Sequence, residues 1–149
     1  MKLILKLSSP PFSCNNSHYR NGNRTVKNRK WADNIHKELE QYREEMDAFH
    51  DFYMPMLLTH SFSVNLTFFL PSKKLFTVKG KINRFSMDLS NIEKGLIDLV
   101  FDPRFYKRGH ANLNLDDTLI TTLISKQRKS VTNLPYIVIT IELFNNLLL

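Results

Sequence analysis

The run Asp88-Leu89-Ser90-Asn91-Ile92-Glu93-Lys94, continuing to Asp98, gathers acids, an amide and a lysine, and Asp116-Asp117 adds an acidic pair downstream. On a helix turning about 100° per residue, Asp88, Asn91, Lys94 and Asp98 fall within an arc of about 120°. Ile92, Leu96, Ile97, Leu99 and Val100 fill the other side. One face is then core, and the other presents groups that can bind a metal and act on a phosphodiester. Mg²⁺ takes hard oxygen ligands, keeps several waters and shares the substrate's phosphate oxygens. Two such ions about 3.5–4 Å apart can clamp the attacking and leaving oxygens. Asp88 with Asp116 or Asp117 would supply carboxylates. Lys94 would stabilise charge on the phosphate in the transition state. Asn91 would orient a ligand or a water, and Asp98 would pair with Lys94 or with a loop lysine. Taken alone, the same helix reads equally well as a solvated charged face.

Composition is compatible with an anionic partner, although many soluble proteins are modestly basic. The chain has 149 residues, a net charge of +7 and an isoelectric point near 9.6. Its first thirty residues hold seven basic side chains and no acid. Seven of the fourteen acids lie between Asp33 and Asp51, and six between Asp88 and Asp117. A basic chain with two acidic islands suits nucleic-acid binding around a metal centre. The lone Cys14 can form no internal disulfide, which points to a reducing compartment. The opening run from Met1 to Leu7 is broken by Lys6 and lacks the apolar stretch of a signal peptide. No apolar run approaches the ~20 residues of a membrane span. The expectation is a cytoplasmic protein with no membrane contact, built as a single domain over residues 1–149. Gly-rich phosphate loops, CxxC pairs, GxSxG elbows and HExxH are absent from the sequence.

These groups must be positioned by elements the pattern predicts. Lys2–Leu7 alternates as a strand. Residues 8–28 form a long loop with Pro10-Pro11 and several Asn. Tyr19, Arg20, Arg24 and Lys27, with Arg29, Lys30 and Trp31, make either a phosphate-contacting arm or a solvated loop. Asn28 caps a long amphipathic helix carrying Trp31, Ile35, Leu39, Tyr42, Met46, Phe49 and Tyr53, which Pro55 ends. His36 and His50 find no partner at metal-ligand spacing. His60–Leu70 is the clearest strand. Leu75–Val78 is a short strand or edge, and Lys79-Gly80-Lys81 a turn. Lys73, Lys74, Lys79, Lys81 and Arg84 bring positive charge up to the acidic helix over 88–100. A loop then leads through Leu113 and Leu115 to Asp116-Asp117. Strands follow at 118–124, with the basic extension Lys126–Lys129, and at 136–141. The apolar end, Phe144–Leu149, covers an edge, covers a dimer surface or frays. The order predicts an α+β fold: a small mixed β-sheet with two helices packed on one face.

Asp88-Leu89-Ser90-Asn91-Ile92-x-Lys94-x-x-x-Asp98 followed by Asp116-Asp117 resembles the signature of the RusA-type Holliday junction resolvases, D-x-D-N-L-x-K-x-x-x-D-A-L and then D-D. Pro10-Pro11, Asn15-Asn16 and Tyr19-Arg20 resemble that family's N-terminal P-P-S-x-N-x-x-Y-R element, with two residues added. Lys126 and the closing strand over 137–142 match in order, so the likeness runs along nearly the whole chain. The resemblance implies a homodimeric, Mg²⁺-dependent endonuclease, with Mn²⁺ as an alternate ion, that nicks four-way DNA junctions in pairs. It implies that Asp88 and Asp117 bind metal with Asp116 and Ser90 beside them, and that Lys94 is the catalytic lysine. Asn91 and Asp98 are supporting residues. Tyr19, Arg20, Arg24, Lys27, Lys73, Lys74 and Lys126 would contact DNA. The departure is Ser90, where the family signature has a carboxylate. A hydroxyl is a weaker ligand, so either Asp116, Asp98 or Glu93 compensates, or metal binding weakens, or DNA binding outlives catalysis.

Overall fold

Alternation of apolar and polar residues lets a strand set one face into a core. A computed structural model describes residues 1–12, 25–83, 89–102 and 109–146, apart from the Asn91 side chain. Its strands are β1 (Lys2–Leu7), β2 (His60–Leu70), β3 (Ile120–Lys129) and β4 (Tyr136–Asn145). They form a four-stranded sheet in the order β1-β4-β2-β3. β4 runs antiparallel to both β1 and β2, and β3 runs parallel to β2, so the sheet is mixed. Helices α1 (Val26–Glu40), α2 (Arg43–Tyr53), α3 (Ser72–Leu75) and α4 (Leu89–Phe101) complete the α+β fold.

One face of the sheet is covered. Leu3, Leu5 and Leu7, Phe62 to Phe68 at every second residue, and Ile137, Ile139 and Ile141 are buried in one cluster. Trp31, Ile35 and Leu39 of α1, Met46, Phe49 and Tyr53 of α2, and Ile92, Leu96 and Leu99 of α4 belong to the same cluster. At its centre the Phe62 ring meets Tyr53 edge-on, with centroids 4.9 Å apart. The opposite face carries no helix from this cluster.

Four local expectations are corrected. The long helix divides: Gln41 and Tyr42 donate to the carbonyls three residues back, and Tyr42 adopts φ −108°, ψ 12° before α2 begins. The Tyr42 hydroxyl accepts from the Lys6 amide and donates to the Lys6 carbonyl, so β1 holds the break. The cap is Thr25, whose Oγ1 accepts from the Asn28 amide at 3.2 Å, while Asn28 itself is buried inside α1. The short strand expected near 75–78 is instead the end of α3 and a single bridge, Phe76 to Ile82, with Gly80 at φ 77° in the turn between. Such a positive φ suits glycine. The last two strands start or end later than expected: a 3₁₀ turn over Asp117–Leu119 precedes β3, and β4 extends to Asn145.

Candidate functional site

Helix α4 is the crossover between the parallel strands β2 and β3. Its outer side carries the exposed Ser90 and Lys94, with Asp98 partly covered. Asp88 lies outside the described residues, as do Tyr19, Arg20 and Arg24. Glu93 points the other way. Its carboxylate accepts a hydrogen bond from Ser125 Oγ in the middle of β3. On a helical wheel Glu93 falls between Val100 and Ile97, which explains why it faces the sheet. Glu93 is therefore a clasp between α4 and β3, and it does not share the Lys94 side.

The far end of α4 is fixed by an extended segment. The amides of Leu113 and Leu115 donate to the carbonyls of Val100 and Phe101, at 2.8 and 2.7 Å. They satisfy groups that a helix end leaves open. Ala111, Leu113 and Leu115 are buried, and Asn114 between the leucines takes φ 52° with its amide held by Asn112 Oδ1. Asn tolerates this left-handed conformation better than most residues. The buried Tyr53 hydroxyl donates to the Leu113 carbonyl at 2.8 Å. Burial is the main cause that pushes the Tyr53 phenol well above its ordinary range, and nearby Asp51 adds to it.

This segment delivers Asp116 and Asp117, both exposed, to the start of β3. Asp116 Oδ1 caps the 3₁₀ turn by accepting from the Thr118 amide at 2.9 Å. The pair thus sits near the last turn of α4, whereas Ser90 and Lys94 occupy its first half. Ser90 and Phe101 are separated by roughly 16 Å of helix rise. Among the described residues no group of three His, Cys, Asp or Glu converges as a metal site. Those residues alone do not fit a divalent-metal centre.

The basic residues collect at the other end of the sheet. Leu7 and Phe68 both pair with Ile137, so β1 and β2 finish level with one another. Lys73 and Lys74 lie in α3, just past the end of β2, and are exposed. The exposed Lys27 is in the first turn of α1, near Trp31, whose indole donates to the Pro10 carbonyl beyond β1. Lys126 pairs with Thr67, which puts it on the sheet face opposite α4, whereas Ser125 faces α4. That separation of Lys126 from Lys94 follows from strand alternation.

No protein-family model matches the chain, and no curated protein matches its sequence.

One cluster was invisible to spacing arguments. The His36 and His110 rings lie 4.6 Å apart. Beside them Glu40 accepts from Arg43 and from the Ala111 amide, and Arg43 donates to the Gly109 carbonyl at 2.6 Å. The Arg43 guanidinium is the main cause that holds the Glu40 carboxyl below its ordinary range. This latch ties the α1–α2 break to the segment that carries Asp116-Asp117. The 36–110 separation hid it from the sequence. Among the described residues no helix is long and apolar enough to cross a membrane.

Proposed function

We propose that the chain is a RusA-like, structure-selective endodeoxyribonuclease that hydrolyses phosphodiesters at four-way or branched DNA junctions. It acts as a cytoplasmic homodimer in recombination and repair. The observation that carries this reading is the mounting of the described part of the motif, residues 89–98: α4 bridges two parallel strands, with Ser90 and Lys94 outward and Glu93 clasped to Ser125 behind them. That arrangement frees Lys94 to meet phosphate while the apolar side is locked into the core. Lys73 and Lys74 supply positive charge beyond β2 for a polyanionic substrate. The proposed cofactor is Mg²⁺, with Mn²⁺ as an alternate. Asp88 and Asp117 are the proposed ligands, with Asp116 and Ser90 as further candidates; the ion would supply Lewis-acid charge stabilisation. Lys94 is assigned to the phosphate, Asn91 and Asp98 to support, and the 19–27 arm with Lys126 to DNA contact.

The test is cleavage of a synthetic four-way junction with Mg²⁺. The parent chain is expected to nick it, and Asp117→Asn and Lys94→Ala each to lower the rate by about 100-fold or more. A parent that binds the junction without ever nicking it, with Mg²⁺ or Mn²⁺, excludes the enzyme.

A second reading is a junction-binding protein that keeps the fold without catalysis. It is favoured by Ser90 in place of a carboxylate and by the position of Asp116-Asp117 near the opposite end of α4. It predicts binding that weakens steeply with salt. A gain of nicking in Ser90→Asp, from an inert parent, would support it.

A further inference from the structure

The uncovered face of the sheet has a distinct row of side chains at its basic end. Lys6 Nζ lies 4.8 Å from the centroid of the Tyr136 ring. Tyr136 stacks on Phe69 with centroids 4.3 Å apart and planes 9° from parallel. Phe69 pairs in register with Arg128 of the edge strand β3. One cation, two rings and a second cation therefore cross all four strands. Both rings are partly exposed, and Lys6 and Arg128 are exposed. Lys126 sits two residues from Arg128 on the same face, about 7 Å along the strand. The floor beside the row is Val138 and Thr67, small enough for close approach.

The charge on this face is one-sided. Its acid, Glu142, lies toward the other end of the sheet and is held by Lys2 at 3.0 Å. Among the described residues, no carboxylate lies in register beside Lys6, Lys126 or Arg128 on this face. Partly exposed rings flanked by cations are the combination that takes stacked bases and tracks a phosphate backbone. Duplex DNA would use only the cations, because its bases are stacked and paired. The rings select an unpaired strand.

We propose that this end of the open face binds an unpaired segment of a nucleic-acid strand, separately from α4 on the other side of the sheet. The proposal rests on the chain being a nucleic-acid-binding protein and adds a second contact surface to it. A branch point exposes such a segment whenever its arms open.

The probe is a fluorescein-labelled oligothymidine of about 15 nucleotides, read by anisotropy across a salt series. The parent is expected to bind it. The Lys6→Gln/Arg128→Gln pair is expected to reduce the magnitude of the salt slope by about 1.4, at about 0.7 for each lost cation. Tyr136→Leu is expected to weaken binding roughly tenfold, and Tyr136→Phe to restore it, since the ring is what stacks. Thermal unfolding of each variant separates lost binding from lost folding; both glutamine substitutions are at exposed positions. Iodouracil-containing oligonucleotide is expected to crosslink to peptides from β2 or β4. An unchanged salt slope in the glutamine pair, crosslinks confined to α4, or no binding by the parent would each overturn the proposal. So would dissociation of a parent dimer by Tyr136→Leu, which would assign the face to a second copy. Junction nicking is scored independently with Asp117→Asn, which leaves this face intact, so failure of cleavage and failure of strand binding are told apart.

Discussion

The two faces of the sheet use the same strands and differ only in which alternate residues they present. On the α4 side β2 offers Phe62, Val64, Leu66 and Phe68, all fully buried. On the other side the same strand offers Ser63, Asn65, Thr67 and Phe69, all partly exposed. The covered face supplies the stability, because apolar area leaves water there. The open face can carry recognition groups at little cost to the fold. The contrast extends to charge: Glu93 is held inward by Ser125 on the covered face, whereas Lys126 and Arg128 stand on the open one.

The largest test of this contrast compares Phe62→Ala with Ile4→Thr. Phe62 lies against Tyr53, Phe49 and Phe101, so its truncation is expected to cost about 3–5 kcal/mol in urea unfolding. Ile4 is 55% exposed on the open face, and its substitution is expected to stay within about 0.5 kcal/mol. Comparable costs at the two sites would show that the open face is packed against something.

A smaller effect is expected where the covered face meets the segment carrying Asp116-Asp117. Tyr53→Phe removes the buried hydrogen bond to the Leu113 carbonyl and is expected to cost about 1–2 kcal/mol. Hydrogen exchange at the Leu113 and Leu115 amides should rise in the same variant. Unchanged exchange there would mean that α4 alone holds the segment.

The smallest effect concerns the exposed latch. Arg43 keeps the Glu40 carboxyl below its ordinary value of 4.5 in the folded chain. The latch therefore contributes stability above the unfolded value and loses it as pH falls through the folded one. Glu40→Gln is expected to flatten that part of the acid limb and to leave the alkaline limb unchanged. An acid limb identical to the parent's would show that solvent screens the pair completely.

Much of the fold was legible because it depends on local periodicity. Alternation located β1, β2 and β4, and the three-to-four spacing from Trp31 to Tyr53 located the α1 and α2 faces. The break at Gln41-Tyr42 was not legible, since neither glycine nor proline marks it. It is imposed by the Tyr42 hydroxyl bonding to Lys6, whose position depends on the completed sheet. The inward turn of Glu93 was present in the helical wheel, but its partner Ser125 lies 32 residues away.

By itself the sequence determined which residue types stand in which order: an acid–amide–lysine run, a later acidic pair and a basic surplus. It also determined the periodicities that make one helix face and one strand face apolar. Only the tertiary structure decided where those groups stand relative to one another. It placed Asp116-Asp117 by the last turn of α4 and put Lys126 across the sheet from Lys94. It also aligned Lys6, Tyr136, Phe69 and Arg128 in one row. The physical reason is that side-chain direction follows from local backbone geometry, whereas strand order and register follow from burying all the apolar faces together.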